Sequence, residues 1–128
     1  MVYSDGCMKA DKPHKNLDAW KTAITLTVDI YKLTKKLPDT EKFGLISQMR
    51  RAAVSIASNI AEGAARNTKK EFIHFLYTAQ GSLSEIDTQI VICKELKYLS
   101  SDDCISIDRE MAIEGKLIAG LINHLRKN

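Results

Sequence analysis

Helix-breaking residues are scarce in this chain, with two prolines and six glycines in 128 residues. Sheet-forming patterns do not fill the gap, since Ala, Leu, Ile and Lys dominate, and that favours helices. Cysteine is scarce too: Cys7, Cys93 and Cys104 cannot all pair within one chain and stand at no metal-ligand spacing. A disulfide scaffold and a zinc site are thereby disfavoured, no metal or cofactor is expected, and a reducing cytoplasm fits best. No apolar run approaches the ~20 residues of a membrane span. The opening MVYSDGCMKADKPHK lacks the apolar segment of a secretory signal, so no membrane partner is expected. Aromatics are 6% of the chain, and no aromatic-plus-basic stacking platform for single strands emerges. There is no P-loop, GxSxG, HExxH or CxxC, and His14, His74 and His124 are dispersed. No catalytic residue can be nominated, and the expectation is a protein that is not an enzyme.

Charge is present but unevenly placed. The total is +3, yet residues 1–66 carry eleven Lys/Arg against seven Asp/Glu, and residues 67–128 carry eight against nine. Most of these side chains read as a solvated surface. The clusters Arg50-Arg51 and Arg66 with Lys69-Lys70 flank one helix and are the candidates for contacting a polyanion.

The most informative stretch is Gly44–Arg66. Nine of the fourteen residues Ala52–Ala65 are Ala, Ser or Gly. Such a helix cannot build a core by itself, but it lets other helices approach closely, with Met49, Val54, Ile56 and Ile60 as its bulky knobs. Around it the chain divides into four periodic segments. Residues 1–15 have no apolar period and read as a mobile tail. Asn16 is a candidate N-cap for a first helix running to about Leu37. Pro38-Asp39-Thr40 starts a second helix with Glu41 at its positive end and Gly63 as a candidate C-cap. Thr68 and Glu71 have capping-box spacing and open a third helix, which runs to about Leu99. Ser100–Asp103 ends that helix and caps a fourth, which carries Ile107, Met111, Ile118, Leu121, Ile122 and Leu125 to about Arg126. Gly81, in the middle of helix three, is expected where the small face of helix two crosses. Short connections between successive helices imply a single-domain, all-α, up-down-up-down antiparallel four-helix bundle over residues 16–128.

Helix one has two apolar stripes. Leu17, Trp20, Ile24, Val28 and Tyr31 make one; Ala23, Leu26, Ile30, Leu33 and Leu37 lie nearly opposite. A four-helix monomer would leave one stripe wet, so self-association is expected. Trp20, Ile24 and Tyr31, or else Leu26, Ile30 and Leu33, are the candidate oligomer interface. Arg50 or Arg51 is expected to pair with Glu85 or Glu62, because a buried charge needs a partner; the sharper alternative leaves one arginine free for phosphate.

The run QMRRAAVSIASNIAEG (Gln48–Gly63), followed by EFIHFLYTAQGSLSEIDTQI (Glu71–Ile90), resembles the four-helix bundle family encoded within 23S ribosomal RNA intervening sequences. Leu17–Trp20, Pro38 and Glu41–Leu45 fit the same pattern. Ala57 departs from it, standing where many members have proline. The family is similar to the accessory protein of diversity-generating retroelements, a basic bundle that forms a pentameric ring and engages reverse transcriptase and nucleic acid. The resemblance implies the bundle and the ring, and it supplies no catalytic residues. Two functions follow as expectations: a non-enzymatic homo-oligomer, pentameric by the resemblance, that contacts RNA or a nucleic-acid-processing protein through a basic face; or a scaffold with protein partners alone.

Overall fold

The computed structural model describes residues 13–127, which form four α-helices, with a short 3₁₀ turn before the first, second and fourth. They are α1 (Asp18–Thr34), α2 (Leu45–Ala64), α3 (Lys69–Glu95) and α4 (Ile105–Lys127). Each packs on its chain neighbours, and α4 returns to α1, closing an up-down-up-down bundle. Antiparallel register is marked by Met49 against Cys93, Ser55 against Ser82, and Lys36 against Asp103.

The core is a column of Leu26, Ile30, Met49, Ile56, Ile60, Leu76, Ile86, Ile90 and Ile118, all essentially without solvent contact. The small face of α2 works in two directions: Ala52, Ala53, Ala57 and Gly63 are all buried, and α2 packs against α3 even more extensively than against α1. The helix passes Ala57 without interruption.

Local signals explain most of the ends. The Glu71 N–H donates to Thr68 Oγ1 at 3.1 Å, and the Thr68 hydroxyl in turn donates to the Glu71 carboxylate. Ser100 and Asp103 cap each other reciprocally through their backbone N–H groups at 2.9 and 3.1 Å. That capping, with the Lys36 ammonium at 2.9 Å, holds the Asp103 carboxyl down at about 2.

Several expectations need correction. Residues 13–16, placed mostly in the tail, form a 3₁₀ turn, and the His14 ring stands edge-on to Trp20 at 5.0 Å. The N-cap position of α1 belongs to Leu17, and no side chain caps it. The rest of the proposed tail, residues 1–12, lies outside the described residues. Residues Asp39–Glu41 are a 3₁₀ turn and α2 starts only at Leu45, although Glu41 still caps it by accepting the Leu45 N–H at 3.2 Å. Helix α3 stops at Glu95 because Lys97 turns left-handed at φ 66° and the Tyr98 N–H reaches back to the Cys93 carbonyl.

The glycines exchange roles. Gly81 is exposed, with nothing within 4 Å of the place a Cβ would take. The α2–α3 crossing uses its neighbour Ser82, about 100° round the helix, whose hydroxyl lies 2.9 Å from that of Ser55. Gly63 is no C-cap. It is buried within α2, where a Cβ would stand 2.8 Å from Phe72 Cδ1 and 2.9 Å from Phe75 Cβ.

Candidate functional site

The two stripes of α1 separate cleanly. Ala23, Leu26, Ile30 and Leu33 point into the bundle, so Leu26, Ile30 and Leu33 are spent on the chain's own core and offer nothing to a second copy. Outward lie Ile24, Val28 and Tyr31, each 40–48% exposed, with Trp20 half-buried at the upstream end. Helix α2 continues this surface. Trp20, Ile24 and Thr27 of α1 and Val54, Ala57, Ser58 and Ala61 of α2 line a groove of about 270 Å³. Its floor is small because the two backbones come close: the Thr27 hydroxyl lies 2.7 Å from the Ala23 carbonyl and 3.1 Å from the Ala53 carbonyl across the seam.

At the other end of α2, Phe43 precedes the helix and is 90% exposed, with the Lys42 ammonium 5.7 Å from its ring centre. Further exposed apolar side chains on α3 and α4, such as Val91, Ile92, Leu96, Ile105 and Ile113, are each about half-exposed.

The basic candidates are not brought together. Arg50 pairs with neither Glu85 nor Glu62. Its Nε donates to Thr34 Oγ1 at 2.9 Å, its Nη2 donates to the Tyr31 carbonyl at 3.2 Å, and the guanidinium lies 4.6 Å over the Tyr31 ring. Arg50 thus sits at the C-terminal end of α1, where the helix dipole is negative and favours a cation. Glu62 takes Arg66 at 3.5 Å, and Glu85 accepts from Gln89 at 3.3 Å. Arg66 also stacks 4.8 Å from the Phe75 ring. Arg51, Lys69 and Lys70 are exposed and form no ion pair among the described residues. Arg51 lies in the first half of α2 and the two lysines in the first turn of α3, beyond the far end of α2, with ~20 Å of helix between Arg51 and Ala64 alone.

One functional-grade group escaped the sequence reading. Glu114 on α4 has no exposed surface, and neither carboxylate oxygen has a hydrogen-bond partner. Burial pushes its pKa up to about 8. One turn earlier, Glu110 is half-buried and faces Asp29 of α1; burial first, and the Asp29 contact second, push its carboxyl upward as well. The signal was available: Glu114 fills the core position in the series Ile107, Met111, Glu114, Ile118, Ile122. Among the described residues, no three His, Cys, Asp or Glu side chains are grouped to hold a metal ion.

The remaining titratable groups suit packing. Cys93 is pushed up to about 11 by burial and then by the charges of Cys104 and Glu41, far from a thiolate nucleophile. His74 is exposed, edge-on to Phe75 at 5.9 Å. No helix among the described residues is long and apolar enough to cross a membrane.

Comparison with known proteins gives a consistent picture. Residues 15–120 match the model of a family described as 23S rRNA-intervening sequence protein. A crystal structure of a protein of unknown function, from the S23 ribosomal protein family of Bacteroides thetaiotaomicron VPI-5482, superposes with a TM-score of 0.72 at 21% identity. The superposition covers 81% of this chain and 97% of that one, and at this identity it shows a common fold. No curated protein matches the chain.

Proposed function

We propose, on the premise that this chain belongs to the 23S rRNA-intervening sequence protein family, that it is a non-enzymatic bundle that assembles with copies of itself into a protein scaffold. One observation carries the reading: the α1 stripe Ile24, Val28 and Tyr31 runs on into Val54 of α2 as one apolar surface of half-exposed side chains beside a small-residue groove. Scattered exposed apolar residues are ordinary, whereas a contiguous face of them marks an interaction site. The closed ring of five copies implied by the family resemblance is the assembly proposed.

Light scattering coupled to size exclusion tests the proposal. Val28→Glu with Val54→Glu places a charge on each helix of this face and should yield a folded, smaller species. A native protein that is a single copy at micromolar concentration overturns it.

A second reading, contact with RNA or a ribonucleoprotein, is favoured by the pair Lys69 and Lys70, with Arg51 standing apart from them. Both are exposed without an ion pair in the first turn of α3, where the helix dipole also attracts anions. Symmetric repetition would turn each pair into part of a positive belt that binds a polyanion without reading its sequence. Charge reversal of both lysines should then weaken RNA binding for every sequence and flatten its salt dependence. An absence of RNA binding by the native protein leaves the scaffold alone.

A further inference from the structure

We infer that the cavity between the end of α1 and the start of α2 binds the phosphate group of a small phosphomonoester. The inference is independent of self-assembly and of the Lys69–Lys70 pair, since ~20 Å of helix separates Arg50 from Ala64.

The cavity measures about 480 Å³, within the ~300–1,000 Å³ of small-molecule sites. Three cations line it, Lys35, Lys42 and Arg50, against one carboxylate, Asp39. Nearby lysines are neutralised, Lys36 by Asp103 and Lys94 by Asp108, whereas Lys35, Lys42 and Asp39 form no ion pair among the described residues. The negative end of α1 and the positive end of α2 both border the cavity and offset one another. An excess of two positive charges is left on its walls.

Arg50 is set in place before any ligand arrives. The Thr34 hydroxyl holds its Nε, the Tyr31 carbonyl holds its Nη2 and the Tyr31 ring lies against its face. Its Nη1 donates to nothing among the described residues. A planar guanidinium fixed with free N–H groups matches a phosphate edge, and the two lysines add adjustable point charges from other segments. The wall charge suits a dianion, which a terminal phosphate carries; a carboxylate or a backbone phosphodiester carries one charge. Leu37 and Ile46 complete the lining and give an organic body an apolar surface to rest on.

Calorimetric titration with phenyl phosphate at low salt tests the inference. The native protein should bind it at one site per chain, and inorganic phosphate should compete. Diethyl phosphate, a diester monoanion, should bind at least about tenfold more weakly, and Lys35→Gln with Lys42→Gln should weaken phenyl phosphate binding by roughly the same factor. Arg50→Lys should also weaken it, because the charge stays while the fork is lost. Lys69→Gln with Lys70→Gln should leave it unchanged. Asp39→Asn should tighten binding, an effect that damage to the fold does not mimic; circular dichroism checks the fold of each variant. No binding by the native protein at millimolar phenyl phosphate would overturn the inference, as would binding indifferent to the double lysine change or weakened by Asp39→Asn. A 5′-phosphorylated oligoribonucleotide that binds this cavity where phenyl phosphate does not would overturn it in favour of a nucleic-acid end.

Discussion

Replacing Glu114 by methionine should stabilise this protein, against the usual direction of a core substitution. Folded Glu114 keeps its proton up to about pH 8, whereas an ordinary exposed glutamate loses it near 4.5. Between those values the native state binds the extra proton, so stability is fully present below pH ~4.5 and is lost as pH rises through about 8. The slope reaches ~1.4 kcal/mol per pH unit, which integrates to at most about 5 kcal/mol. Even protonated, the carboxyl is buried with neither oxygen hydrogen-bonded, a further cost of ~1–3 kcal/mol. Methionine is close in length and volume, adapts to irregular gaps and removes both costs. Urea unfolding of wild type and Glu114→Met at pH 5, 7 and 9 is the assay. The variant should gain at least about 3 kcal/mol at pH 7, at least roughly 10 °C in Tm, with a smaller gain at pH 5. Its pH slope should shrink without vanishing, because Glu110, facing Asp29, titrates in the same sense; Glu114→Met with Glu110→Gln should flatten it. A variant that is no more stable than wild type at pH 7, with the slope intact, would show that Glu114 has a partner and that its burial is not the source of the pH dependence.

Two glycines should respond oppositely. Gly63→Ala forces a Cβ to within 3 Å of Phe72 and Phe75 and should cost ~1–3 kcal/mol in chemical denaturation, whereas Gly81→Ala enters open space on α3 and should add up to ~1 kcal/mol. Lys97→Gly relieves a left-handed backbone at φ 66° and should raise the unfolding midpoint by the equivalent of ~0.5–1 kcal/mol; a loss would mean that the lysine side chain contributes more than its strain.

The four helices and several of their caps were legible because their causes lie within a few residues. Thr68 with Glu71 and Ser100 with Asp103 close over three positions, and the periods of α2 and α4 repeat within each helix. Glu114 was legible in principle, standing in an apolar series, and was missed because the apolar residues around it were read and the interruption was not. Other features needed partners distant in sequence. Both stripes of α1 are apolar, and the packing of α2 and α4 onto α1 is what consigns Leu26, Ile30 and Leu33 to the core and leaves Ile24, Val28 and Tyr31 outside. Arg50 found the Thr34 hydroxyl and the Tyr31 carbonyl in the last turn of α1, not a carboxylate, because which acceptors a neighbouring helix end presents is not announced by residue type. Gly63 and Gly81 look alike as letters; which one meets another helix depends on about 100° of rotation per residue and on the path of the partner. Local sequence determined where the helices run, to within a few residues, and the caps that close over three positions. Only the tertiary structure decided which faces were left over, because burial belongs to pairs of helices and the leftover face is whatever no neighbour covers.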